Sequence, residues 1–96
     1  MKKINLQFNL QVSFLKERER FVAFAPALDL STSGKSLAEA KKRFEEASLL
    51  FFEEIIRKGN LEDVLEELGW QKIKKEWRPP LIISQESEVI NVPVNV

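Results

Sequence analysis

The sequence predicts an α+β domain: a small antiparallel sheet of three strands, one long helix across one face, a second short helix and a C-terminal strand. Three observations predict it. Apolar and polar residues alternate without a break near the start; a second apolar run, Phe21, Val22, Ala23, Phe24, stops at Pro26; and a helical apolar period runs from Leu37 to Ile56.

Ile4, Leu6, Phe8, Leu10, Val12 and Phe14 alternate with Asn5, Gln7, Asn9, Gln11 and Ser13, the pattern of one long half-buried strand. Lys16, Glu17, Arg18, Glu19 and Arg20 read as a charged, solvated turn, with residues 21–25 returning as the antiparallel partner of a hairpin. A basic patch is not expected there, because Glu17 and Glu19 interleave with the cations. Pro26 has no amide hydrogen and steers Ala25 away from helical angles, so the strand ends there. Residues 28–33 supply a third, shorter strand, and Gly34 is expected to take positive φ in the turn that follows. Ser36 is placed to cap the long helix, and Glu39 to complete a capping box.

That helix puts Leu37, Ala40, Phe44, Ala47, Phe51 and Ile55 on one stripe facing the sheet. Leu49, Phe52 and Ile56 form a second stripe roughly 120° round. Arg57 and Lys58 suit the negative end of the helix dipole, and Gly59 the left-handed position after it. Asn60 is expected to cap a second helix carrying Leu61, Val64, Leu65 and Leu68 on one face and ending at Gly69. Folded back, it covers the second stripe; whatever it leaves bare becomes a contact surface. Trp70 and Trp77 flank the polar residues 71–76 and read as packing anchors.

Pro79 and Pro80 mark a stiff linker that divides a domain of residues 1–78 from an arm of residues 79–96. In the arm, Ile90, Val92, Val94 and Val96 alternate with Asn91, Pro93 and Asn95, and Pro93 confines this strand to an edge. The expected assembly is a homodimer or higher even oligomer. Its partner or oligomer contacts are Leu49, Phe52, Ile56, Ile90, Val92, Val94 and Val96.

Composition narrows the chemistry. With no Cys and no His in 96 residues, thiol nucleophiles, ordinary zinc ligand sets and imidazole catalysis have no side chains to use. Only Asp29 and Asp63 are aspartates, and the glutamates sit mainly on helix faces, so no catalytic residue, metal ligand or cofactor site is expected. Fifteen basic and fifteen acidic residues cancel, so nucleic acid is not expected as a partner of this chain alone. No run approaches the length of a membrane span and no signal-peptide pattern follows Met1, which makes a cytoplasmic protein the expectation.

Phe21 to Phe24, then Pro26, Leu28 and Asp29, then Gly34, Lys35 and Ser36, with Glu39 and Ala40 beyond, fall where the HicB family of antitoxins has its aromatic-Val-Ala-aromatic strand, Pro-x-Leu-Asp, Gly-polar-Ser/Thr turn and x-x-Glu-Ala helix start. Roughly the first seventy residues resemble that family. The resemblance implies a partial, catalytically empty RNase H-like fold. It also implies a partner, a HicA-like toxin that cleaves mRNA and is inhibited by steric occlusion. Residues 79–96 depart from the family, whose fuller members continue into a helix-turn-helix or ribbon-helix-helix segment that binds operator DNA. Two other readings stand beside this one: a solitary homo-oligomeric module, and a metal-dependent RNase built around Asp29. For Asp29 the residue-level expectation is a turn position whose carboxylate meets backbone donors.

Overall fold

The computed structural model describes residues 7–95. In chain order the elements are β1 (Ser13–Glu17), β2 (Arg20–Ala25), β3 (Leu30–Gly34), α1 (Leu37–Arg57), α2 (Leu61–Glu67), β4 (Gln71–Ile73) and β5 (Glu76–Arg78). The first three strands form an antiparallel sheet in the order β1-β2-β3, and β4 and β5 form a separate two-stranded hairpin. The α+β class and the three-stranded sheet are as the sequence predicts.

The first strand is shorter and later than its alternation implies. Ile4, Asn5 and Leu6 lie outside the described residues, and residues 7–12 join no ladder, although Phe8, Leu10 and Val12 still turn inward and Gln7, Asn9 and Gln11 outward. The register explains this. Ser13 pairs with Phe24, so continuing the ladder brings Gln11 opposite Pro26, which has no donor to offer. At the other end Lys16 and Glu17 belong to the strand, opposite Phe21 and Arg20, and the expected charged turn shrinks to Arg18 and Glu19, with Arg18 at φ 57°.

After β2 the chain makes a tight turn in which Leu28 N donates to Ala25 O (3.2 Å) and Asp29 N to Pro26 O (3.1 Å), with Asp29 at φ 49°. Gly34 is not in the left-handed region. It is the point where β3 meets the helix: a Cβ there would sit 2.7 Å from Ala40 N and 2.9 Å from Glu39 Cβ. That contact seats α1 on β3, where Thr32 Oγ1 donates to Ala40 O at 3.0 Å.

Ser36 caps α1 as predicted, its Oγ accepting from Glu39 N at 3.1 Å. The reciprocal half of the capping box is absent, because the Glu39 carboxylate pairs with Arg43 at 2.8 Å. Both helices end in the same six-residue closure. Gly59 N bonds Ile56 O and Asn60 N bonds Ile55 O; Gly69 N bonds Glu66 O and Trp70 N bonds Leu65 O, with the two glycines at φ 72° and 92°. Asn60 precedes α2 without capping it through its side chain, and its Oδ1 is buried without a partner.

Two clusters make the core. Ala23, Ala25, Ala40 and Phe44 lie between the sheet and the first half of α1, where alanines let helix and strand approach closely. Ala27, Leu28, Ile55, Leu65 and Trp70 join the β2–β3 turn to the second half of α1 and to α2. Leu37, read as part of the buried stripe, is half exposed in the first helical turn. Trp70 anchors the second cluster by donating Nε1–H to Ala27 O at 2.7 Å, the packing role the sequence predicts for it.

The stretch between the tryptophans forms the β4–β5 hairpin, with Lys74 and Lys75 at φ 50° and 68° in its two-residue turn. The expected C-terminal strand does not form: residues 79–95 hold neither helix nor strand. The start of this arm rests against residues 11–13. The Gln11 amide exchanges two hydrogen bonds with the Ile82 backbone, and Gln85 Nε2 donates to Ser13 Oγ at 3.2 Å.

Candidate functional site

The residues predicted as contacts do not share one surface. Phe52 is covered, though chiefly by Phe8 and Trp70: the Phe8 and Phe52 rings stack at 4.9 Å, and Trp70 meets Phe8 edge-on at 5.3 Å and Phe52 at 6.3 Å. The second helix covers the Ile55 side instead, through a fully buried Leu65. Leu49 stays 63% exposed and Ile56 49%, so only the middle of the second stripe is core. In the arm, Ile90, Val92 and Val94 are 70% exposed or more, and Val96 lies outside the described residues.

Three surfaces remain open. The first is the sheet face away from α1. Since Ala23 and Ala25 point at the helix, strand alternation places Val22 and Phe24 on the other side, with Leu15 opposite Val22, and Ser13, Ser31 and Ser33 around them. No helix packs on this face, and Leu15 is half exposed. The second is a groove of about 500 Å³ between α1 and the segment that runs into β1, lined by Phe8, Leu10, Val12, Phe14 and Phe44 with Lys41 and Glu45 at its rim. β1 is a terminal strand of the sheet, so a backbone edge that pairs with no strand among the described residues borders this groove.

The third surface is electrostatic. The neutral chain separates its charge locally: α2 carries Glu62, Asp63, Glu66 and Glu67 with no cation, and the β4–β5 hairpin carries Lys72, Lys74, Lys75 and Arg78 against Glu76 alone. Glu62 and Lys72 join the two at 2.7 Å, with Lys72 Nζ also 5.6 Å from the Trp77 ring centre. Asp63, Glu66 and Glu67 make no ion pair among the described residues. On α1, Arg57 and then Lys58 hydrogen-bond Glu54 and hold its carboxyl below the usual carboxylate range.

Asp29 occupies the turn position that its residue type favours, but its carboxylate accepts no hydrogen bond among the described residues, where a backbone donor was expected; among the same residues no three His, Cys, Asp or Glu side chains gather where a metal ion could bridge them. Among the same residues no helix is long and apolar enough to cross a membrane. Sequence reasoning missed two members of these surfaces. The sequence presents Phe8 only as one of six alternating apolar residues, and nothing local marks it as the cover of Phe52. The basic hairpin carries no Gly or Asn at its turn. The arrangement as a whole offers surfaces for binding. Comparison with models of known protein families, with curated proteins and with solved structures gives no match.

Proposed function

We propose that this chain is a cytoplasmic, non-enzymatic binding protein of antitoxin type that inhibits a HicA-like mRNA-cleaving toxin by occluding its RNA surface. The observation that carries the reading is the acidic α2. A protein that cleaves RNA presents cations to the phosphate backbone, and a helix with four carboxylates and no base, of which only Glu62 is paired among the described residues, carries the complementary charge. The uncovered sheet face beside Leu15, Val22 and Phe24 supplies apolar anchors of the kind that carry binding energy. The residues that resemble the HicB family support it as well: Pro26, Asp29, Gly34, Ser36 and Ala40 each hold the β-β-β-α unit in shape.

The test is co-expression with the neighbouring reading frame, scored by growth and by co-purification. A small basic protein, toxic alone and silent in the pair, is the expected result; a neighbour that is harmless alone and does not co-purify contradicts the proposal. A solitary homo-oligomeric module is the second reading, favoured by the exposed apolar arm.

A further inference from the structure

The arm is the part of the molecule that a single copy serves least. The chain extends 64 Å along its longest axis against 30 and 24 Å across, and its radius of gyration is 16.9 Å where a compact chain of this length has about 12.5 Å. Ten extended residues reach about 33 Å, a length of the same order as the excess. Its accessible surface of 8535 Å² exceeds by about 2,900 Å² that of a folded monomer of its mass. A standard interface takes roughly 800 Å² from each partner. The surplus is apolar where the arm is concerned: Val89, Ile90, Val92 and Val94 are each at least 70% exposed.

The complement to the arm lies on the same chain, beside the point where the arm departs, and the arm's own residues 90–94 stay exposed rather than folding into it. The clamp of Gln11 on Ile82 and the Gln85–Ser13 bond hold the start of the arm against residues 11–13, and from there the chain leads away from the body. The groove beside β1 has an apolar floor and a free strand edge, and the arm has an apolar face with period two. The arm carries Glu86 and Glu88 and no cation, and the groove's rim carries Lys41 and Glu45, so the match between arm and groove is apolar rather than electrostatic.

We infer that two copies exchange arms, with Ile90, Val92 and Val94 of each seated in the other's groove against Val12, Phe14 and Phe44, and the arm backbone added to the free edge of β1. The exchange is reciprocal, so a two-fold closes it. Pro93 makes the closure final. Ile90, Val92 and Val94 share one side of the backbone as well as one face, so pairing on that side leaves Pro93, with no donor, on the outer edge, where no third strand can add. This inference is independent of the toxin.

The chain has no cysteine, which permits a direct test with the full-length protein. Val92→Cys and Phe14→Cys chains are mixed and oxidised, with Ser31→Cys on the opposite sheet face as the comparison, and the mass of wild type and Val92→Asp is measured by light scattering. The expected results are a wild-type mass twice 11.1 kDa, a Val92→Asp mass at the monomer value with unchanged helix signal, and a disulfide-linked pair between Val92→Cys and Phe14→Cys. A monomeric wild type, a Val92→Asp dimer, or linkage to Ser31→Cys in preference to Phe14→Cys overturns the inference. Val92 is exposed in the single copy, so its substitution leaves the fold intact.

Discussion

Replacing Gly34 by alanine puts two accounts of one glycine in opposition. If Gly34 served only as a permissive residue with ordinary extended φ, alanine would stabilise the protein by about 0.4–1 kcal/mol through the unfolded state. The structure requires the opposite sign. The added methyl lies 2.7 Å from Ala40 N and 3.0 Å from Glu39 C, both backbone atoms of the first turn of α1, and 2.9 Å from Glu39 Cβ. None of these is the far end of a flexible side chain, so the helix start must move off β3, loosening Ala40 and the Thr32–Ala40 bond. Overpacking of this kind costs about 1–3 kcal/mol, and the backbone contacts place Gly34→Ala near the upper end, a large part of the roughly 5–14 kcal/mol expected for a chain of this length. Urea denaturation followed by far-ultraviolet circular dichroism, at one fixed protein concentration, should show the midpoint falling by about 1 M or more. A midpoint that stays or rises refutes the close-approach argument.

Trp70→Phe should destabilise by about 2–4 kcal/mol, because it strands the Ala27 carbonyl and leaves space beside Phe8 and Phe52; equal losses for Trp70→Phe and the half-buried Trp77→Phe in the same denaturation assay count against it. Replacing Lys74 by Asn together with Lys75 by Gly should stabilise the β4–β5 hairpin, since both turn positions have positive φ, and slower amide exchange at Ile73 and Glu76, the pair that closes the turn, is the readout. The Glu54 carboxyl, held down first by Arg57 and then by Lys58, should titrate below the ordinary glutamate value in a carbon-detected NMR titration. Its stabilising effect is present above the unfolded-state pKa and lost as pH falls through the lower folded value, and Arg57→Ala should move the midpoint up more than Lys58→Ala. RNA incubated with the purified chain and magnesium or manganese should remain intact in a gel assay, and cleavage abolished by Asp29→Asn would show that Asp29 does chemistry.

What the sequence made legible was local. The end of β2 at Pro26, the Ser36 cap and the glycine stops at Gly59 and Gly69 each depend on a few adjacent residues, and each stands where it was read. What it hid was set by distant partners. Residues 7–12 have the alternation of a strand, but whether they pair is decided by Pro26 on another strand. Phe52 belongs to the core because Phe8 and Trp70 reach it from opposite ends of the domain. The hairpin β4–β5 escaped because lysines occupy positions where Asn and Gly usually signal the turn. The arm shows alternation without a ladder, because its backbone has no strand partner among the described residues. Of the candidate surface, the acidic run in α2 is plain in the sequence, while its lack of neutralising neighbours at Asp63, Glu66 and Glu67 appears only in three dimensions.

The claim that this chain acts by occluding an RNA-cleaving partner is tested most directly by titrating it into that partner's RNA cleavage reaction in vitro. The proposed mechanism predicts cleavage falling in proportion to added chain and ending at one chain per partner. It also predicts that the double variant Glu66→Lys, Glu67→Lys needs at least tenfold more protein, because the charge that faces the RNA-binding surface has been reversed. Undiminished cleavage at molar excess, or equal inhibition by the reversed helix, would contradict it.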